Sequence, residues 1–379
     1  MRYYLIAGEA SGDLHASNLM KALKNNDPQA VFRCWGGDLM QAAGGALVMH
    51  YRDLAYMGFL EVLLHIRTIL KNLSFCKKDI VQYKPDALIL VDYPGFNLRM
   101  AKFAHQQGIR VIYYISPQVW AWKKSRVYQI RETVDKMLVV LPFERDFYLK
   151  YNYEVDFVGH PLLDTVAQPS VYKDRNAFIT GNQLTGKPII AVLPGSRKQE
   201  IRKMLPVMVS LADTFTDYEF VVAGAPSIEP DYYRKFAGMN KLAIMANQTH
   251  ELLRYAHAAL VTSGTATLET ALFGVPQVVC YKGGCISYLI ARQLVDVKFI
   301  SLVNLIMDKP VVKELIQKDF NRSNLKTELQ LILEEEQRQQ MMADYNDLRQ
   351  KLGGPGASNR AAEHICKFLQ AIPSQTHRS

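Results

Sequence analysis

Short apolar runs bounded by glycine or proline alternate with segments of helical periodicity along most of the chain. The runs Tyr3–Ala7, Val31–Trp35, Ala87–Val91, Val111–Ile115, Lys136–Val140 and Val155–Val158 come first. After a break come Ile189–Leu193, Glu219–Ala223, Leu242–Met245, Ala258–Val261 and Gln277–Tyr281. Runs this short and this apolar predict strands buried on both faces. Their alternation with helices predicts parallel sheets joined by crossover helices. The expected fold is therefore α/β, with two doubly wound parallel-sheet domains.

The break between the two groups spans roughly residues 160–188, with Pro161, Pro169, Gly181, Gly186 and Pro188. It reads as an interdomain connection. The expected domains are 1–165 and 166–356. A second punctuation, Gly353–Gly356, precedes a terminal helix, so residues 357–379 are expected to pack back on the first domain or on that of a second copy. A homodimer stays open on that ground. Doubly wound sheets bind ligands outside the carboxyl ends of their strands. Two such domains facing a cleft would hold one substrate each.

Composition narrows the class. The chain has 379 residues, 49% hydrophobic and 21% charged, which is ordinary globular usage. No apolar run reaches the roughly 18–20 residues of a membrane-spanning helix, and the N-terminus enters a strand without a signal-peptide pattern. A cytoplasmic protein is expected. Cys34, Cys76, Cys280, Cys285 and Cys366 are scattered without a C-x-x-C pair, and the histidines show no metal-ligand spacing, so no metal is expected. A net charge of +9 favours anionic partners. With no zinc-finger, RNP or helix-turn-helix signature, nucleic acid is not among those expected.

Two loops carry the strongest chemical signal. LPGSR (Leu193–Arg197) and SGTATLE (Ser263–Glu269) each follow a buried run and open a helix. Such loops present unpaired N–H groups and the positive end of a helix dipole, a natural anion site. Gly195, Ser196, Ser263, Gly264 and Thr265 are the candidate amide donors. Arg197 is the candidate fork for phosphate oxygens. Glu269, one turn further on, could bridge two ribose hydroxyls or simply complement the dipole. A diphosphate gripped between adjacent strands makes a nucleotide-sugar enzyme the first reading.

The first half supplies candidate acids and bases. GEASGD (Gly8–Asp13) places Glu9, Ser11 and Asp13 at the end of the first run, as functional groups or as helix caps. VDYPGFN places Asp92 directly after a buried run, as a general base or as a turn former. SPQVWAWKKSR combines Trp120 and Trp122 with Lys123, Lys124 and Arg126, either to stack and neutralise a ligand or as a packed pair beside a basic edge. Met57–Phe75 reads as a helix with a wide apolar arc, in which Leu60, Val62, Leu63, Ile66, Ile69 and Leu70 accompany Arg67 and Lys71. It suits either a membrane surface, with snorkelling cations, or burial against a sheet.

Taken together, GEASGD, MGFLEVL, VDYPGFN, YYISPQVWAW, LPFE, VGHPLLD, LPGSRKQEI, SGTATLETAL and SLVNLI resemble the lipid-A-disaccharide synthase family, in the family's order. The resemblance implies a GT-B-type glycosyltransferase. It implies inverting transfer of 2,3-diacylglucosamine from UDP to 2,3-diacylglucosamine 1-phosphate (lipid X), without metal or other cofactor, at the inner face of the cytoplasmic membrane. The family's essential aspartate matches Asp92, and its first-loop glutamate and serine match Glu9 and Ser11. Its UDP-contacting arginine, glutamate and asparagine match Arg197, Glu269 and Asn304. Its membrane-attachment helix matches Leu60 to Leu70. One position departs: Leu39 stands before Met40 where the family commonly has arginine. A UDP-N-acetylglucosamine-dependent membrane glycosyltransferase and a UDP-sugar 2-epimerase are the alternative readings.

Overall fold

A computed structural model describes residues 1–54, 66–121, 124–167, 174–226, 228–237, 242–283 and 298–371. The chain divides into two compact units: Met1–Asp164 with the segment beginning at Leu352, and Thr165–Lys351.

The first unit is built on a seven-stranded sheet: β1 Arg2–Ala7, β2 Val31–Gly36, β3 Gly45–His50, β4 Ala87–Val91, β5 Arg110–Tyr114, β6 Lys136–Val139 and β7 Asp156–Phe157. The second has six strands: β8 Ile189–Leu193, β9 Glu219–Gly224, β10 Ala243–Ala246, β11 Ala256–Thr262, β12 Gln277–Tyr281 and β13 Lys313–Ile316. The spatial orders are β3-β2-β1-β4-β5-β6-β7 and β10-β9-β8-β11-β12-β13, with parallel pairing between neighbours. Each sheet starts near its middle and winds outward both ways. The direction of winding reverses between β1 and β4, and between β8 and β11.

That reversal positions the candidate residues. In an open α/β sheet the crevice lies outside the carboxyl ends of the strands where the order switches. Ala7 pairs with Val91, so Gly8–Asp13 and Asp92–Asn97 emerge side by side. Leu193 pairs with Val261, so LPGSR and SGTATLE do the same in the second unit. The central strands β4 and β8 are buried along their whole length, as their unbroken apolar sequences require.

β3 and β13 have no counterpart among the expected strands. Both are sheet edges. β3 is mostly half-buried and its register shifts between Cys34 and Trp35 of β2, while β13 carries Lys313 and Glu314 in place of an apolar run. Charge and irregularity are how edge strands avoid further pairing, and they erase the pattern by which strands are recognised.

The helix Ala357–Gln370 packs on the helix Ala10–Asn26 of its own chain, burying Ala361, Ala362, Ile365 and Cys366. Asp164 caps it, accepting from the amides of Gly356 (2.5 Å), Ala357 (3.1 Å) and Ser358 (3.0 Å). Arg360 donates to the carbonyls of Val158 and Pro355 at 2.8 and 2.7 Å. The point where the chain leaves the first unit is thus tied to the point where it returns. Among the described residues no helix is long and apolar enough to cross a membrane.

Candidate functional site

β4 ends in a strained turn. Asp92 and Tyr93 both take left-handed conformations, with φ of 46° and 51°, before Pro94 opens the helix Pro94–Gln106. Each such non-glycine residue costs about 1–3 kcal/mol unless its surroundings enforce it. Here they do. The Asp92 carbonyl accepts from Asn97 Nδ2 at 2.7 Å and from the Tyr113 hydroxyl at 2.6 Å, and the Asp92 amide donates to the Tyr114 carbonyl at 3.3 Å. Gly8 passes so close to Tyr93 that a Cβ there would lie 2.3 Å from the ring, so glycine is required.

The Asp92 carboxyl is half-buried, and its crowded surroundings push it up to about 7. Burial is the largest cause, the charge of Glu9 adds to it, and a hydrogen bond from the Tyr93 amide opposes it. Near neutrality the group is balanced between acid and base, the condition under which proton transfer is most effective. Glu9 immediately precedes the helix Ala10–Asn26 in extended conformation, and its side chain does not cap that helix. Ser11 is exposed in the first turn. Asp13 takes a structural place: it is 3% exposed and accepts from the amides of Gly37 (2.8 Å), Leu39 (3.1 Å) and Met40 (3.0 Å), capping the next helix, Asp38–Ala42. Leu39, at the departing position, is exposed.

In the second unit the two anion loops differ. The expectation of open amides in LPGSR needs correction. Glu200 folds back and accepts from the Ser196 and Arg197 amides at 3.2 and 3.3 Å, and it pairs with the Arg197 guanidinium at 3.2 Å. A first-turn carboxylate at this spacing takes up the amides at the start of its own helix. Gly195, at φ 105°, leaves just enough room, since a Cβ there would lie 2.5 Å from the Glu200 carboxylate. SGTATLE is different. Gly264 takes φ 148° with open space around it, and the helix Thr265–Leu272 begins at once. Among the described residues the Thr265 and Ala266 amides meet no protein acceptor. Ser263 is anchored through its hydroxyl to the Ile300 carbonyl at 2.9 Å. Glu269 is half-buried, 3.8 Å from His250 Nε2.

Asn304 is placed otherwise than expected. It is 1% exposed, and its side chain donates to the Val312 carbonyl (2.8 Å) and Glu314 (2.9 Å) while accepting from the Val312 amide (2.9 Å). Its hydrogen bonds are committed within the protein, so it shapes the Ser301–Asn304 turn instead of presenting its amide outward. Glu314 is the hub of that turn. It also accepts from the amides of Ile300 (3.0 Å) and Ser301 (2.9 Å) and from the Ser301 hydroxyl (2.7 Å). Through Ser263 and Ile300 this hub connects to the open helix start.

The wide apolar arc separates into two faces. Leu60, Val62, Leu63 and the Ile66 side chain lie outside the described residues. In the helix Ile66–Tyr83, Ile69 packs against the core of the first unit, so it belongs to the fold. Leu70 is 58% exposed and Phe75 44%, with Arg67 and Lys71 exposed beside them. Leu70→Ser is expected to weaken sedimentation with anionic vesicles roughly tenfold at unchanged melting temperature. Ile69→Ser is expected to cost about 2 kcal/mol of stability, read by thermal denaturation.

Several motif residues prove to be internal supports. Trp120 is buried edge-on against Phe143, while Trp122 and Lys123 lie outside the described residues. Glu144 of LPFE is buried, accepts from the amides of Val140 (3.3 Å) and Leu141 (3.0 Å), and is pushed up to about 7 by its burial. His160 of VGHPLLD is held neutral, down to about 3, by burial and by His15. The four described cysteines are buried free thiols, and among the described residues no group of three or more His, Cys, Asp or Glu side chains is arranged to hold a metal.

Two doubly wound sheets, each presenting its loops at a reversal of strand order, are the build of the GT-B glycosyltransferases and UDP-sugar epimerases. The fold is shared with S. aureus MnaA in complex with UDP, at a TM-score of 0.70 and 14% identity over 99% of this chain and 98% of that one. It is shared too with the UDP-GlcNAc 2-epimerase of Neisseria meningitidis bound to UDP-GlcNAc, at a TM-score of 0.66 and 12% identity over 98% and 100%. Sequence decides within this class. The family model for lipid-A-disaccharide synthetase matches residues 3–368. The lipid-A-disaccharide synthase of Syntrophus aciditrophicus (strain SB) is 41% identical over 366 residues, 94% of this chain and 95% of the relative. The chain belongs to the lipid-A-disaccharide synthase family, and is a glycosyltransferase of lipid A biosynthesis.

Proposed function

We propose that the chain transfers 2,3-diacylglucosamine from UDP to the 6-hydroxyl of 2,3-diacylglucosamine 1-phosphate, giving the β-1,6-linked disaccharide 1-phosphate and UDP. The first unit takes the acceptor and the second the UDP-sugar. Asp92 accepts the proton of the attacking hydroxyl. As the new C–O bond forms, the bond from the anomeric carbon to the UDP oxygen breaks, and the anomeric centre inverts. The charge released on UDP is met by the Thr265 and Ala266 amides, the dipole of their helix and the Arg197 guanidinium, fixed donors where charge develops. Glu269 serves the ribose. The observation that carries the reading is the Asp92 carboxyl, raised to about 7 at the switch point of its sheet.

Glu9 tunes that carboxyl. Its charge raises Asp92, so Glu9→Gln is expected to move the acid limb of the kcat/KM profile to lower pH, because the base then loses its proton sooner. An unmoved limb would separate Glu9 from Asp92.

The acyl chains of both substrates keep the enzyme at a bilayer, and we place it peripherally on the inner face of the cytoplasmic membrane. The exposed Leu70 and Phe75 with their flanking cations support this, as does a net charge of +9 toward anionic headgroups. The test is UDP release from UDP-2,3-diacylglucosamine in mixed micelles, with and without the 1-phosphate acceptor. Release should require the acceptor and collapse when unacylated UDP-N-acetylglucosamine replaces the donor. Epimerisation of a UDP-sugar without acceptor, or equal use of the unacylated donor, would refute the assignment.

A further inference from the structure

The Asp92 carbonyl is gripped from two elements at once. The Tyr113 hydroxyl reaches it from β5 at 2.6 Å, and Asn97 Nδ2 from the helix Pro94–Gln106 at 2.7 Å. Asn97 is 0% exposed, and the same nitrogen lies 3.3 Å from the carbonyls of Ile6 and Val91, the closing stretches of the two strands that flank the switch point. Among the described residues its buried Oδ1 meets no hydrogen-bond partner. An amide that leaves its acceptor unsatisfied while its donor faces three carbonyls is placed for the donor alone, and such exceptions call for an explanation. Tyr113 is fully buried, and burial raises its hydroxyl well above the usual range, so it keeps its proton and donates at any working pH.

The fold alone does not explain this pair. Tyr114, the next residue along β5, is equally buried on the opposite face, but its hydroxyl faces Ser358 of the last helix and not the Asp92 turn. What sets Tyr113 and Asn97 apart is their common target, the carbonyl of a residue at φ 46°. The peptide plane that follows Asp92 decides where its Cα–Cβ bond aims. Holding the carbonyl oxygen fixes that plane.

We propose that Tyr113 and Asn97 are positioning residues for the transfer reaction: by clamping the Asp92 main-chain carbonyl they hold the left-handed turn from which the Asp92 carboxyl meets the acceptor hydroxyl. The inference rests on the reading of Asp92 as proton acceptor. Misplacement of a reacting group by about 1 Å can cost about 100-fold in rate, whereas ground-state binding by other groups is untouched.

The experiment compares Tyr113→Phe, Tyr114→Phe, Asp92→Asn and the double variant Asp92→Asn/Tyr113→Phe, with steady-state kinetics on both substrates and UDP affinity by calorimetry. Tyr113→Phe should lower kcat roughly 10- to 100-fold, with KM and UDP affinity changed less than about threefold. Tyr114→Phe, the same deletion one residue away, should keep wild-type kcat. In the Asp92→Asn background the Tyr113 change should have no further effect. Should Tyr113→Phe fail to fold, Asn97→Ser is measured in its place with the same expectations. Wild-type kcat in Tyr113→Phe beside an impaired Asp92→Asn overturns the clamp while leaving the proton-acceptor reading intact. Equal losses in the two tyrosine variants, or an undiminished Tyr113 effect in the Asp92→Asn background, also overturn it. An Asp92→Asn enzyme of wild-type rate removes the reading of Asp92, and the clamp with it.

Discussion

With Asp92 as the proton acceptor, Asp92→Asn is expected to lower turnover by about 10²–10⁴-fold, the usual contribution of a general base, and to leave UDP affinity at its wild-type value. The same substitution is expected to stabilise the protein at alkaline pH. The native carboxyl titrates at about 7, against 3.8 for an unperturbed group. The folded state therefore holds this proton more tightly than the unfolded state, and stability falls as pH rises from about 4 to about 7. Asparagine does not ionise and escapes that loss. Urea denaturation at pH 5 and pH 8 reads the difference: a smaller gain at the lower pH and a larger one, with about 4 kcal/mol as a ceiling, at the higher. A variant equally stable at both values, relative to wild type, would show that Asp92 carries no burden of burial. Loss of UDP affinity would show damage beyond the reacting carboxyl.

Glu314→Ala is expected to be as severe by another route. Its carboxylate gathers the Ile300 and Ser301 amides, the Ser301 hydroxyl and Asn304 Nδ2. Ser301 and Asn304 are 0% and 1% exposed, so water does not readily replace the missing acceptor. Each buried donor left unpaired costs about 1–3 kcal/mol, which predicts a total loss of about 3 kcal/mol or more and a clear fall in melting temperature. The damage should spread to UDP affinity, because Ser263 at the open helix start is anchored to the Ile300 carbonyl. Undisturbed UDP binding in a destabilised variant would disconnect the hub from the anion site.

The legible parts of the sequence were those that burial controls. ALILV and IIAVL admit no solvent-facing alternation, and both are central strands. Edge strand β13 was hidden because Lys313 and Glu314 meet solvent and a neighbouring turn, leaving only Leu315 and Ile316 apolar, and β3 because its half-buried positions and shifted register show no regular period. At the sites, Asp92 was legible as a carboxylate abutting a buried run. Its strain, and the Tyr113 and Asn97 bonds that sustain it, depend on β1, β4 and β5 meeting, which spacing does not encode. LPGSR and SGTATLE looked alike because both are small-residue loops opening helices. Glu200 closes one of them, and the sign of that lay in the glutamate three residues after Arg197, the spacing of a capping box. The UDP contact at Asn304 comes from the family resemblance alone, since nothing in SLVNLI itself marks that asparagine for a ligand. Only the return of Val312 and Glu314 beside it shows where its amide goes.

The Asp164 cap on the last helix has a consequence for synthesis. The capping carboxylate and the Gly356 amide it holds are separated by 192 residues. At about 5–20 residues per second, a ribosome takes roughly 10–40 s to deliver that partner. Throughout that interval the nascent first half carries Ala10–Asn26 with one flank bare, and it reaches its final form only after the whole second half has been translated. A stop codon shortly before Leu352 would therefore maim the half of the protein made first.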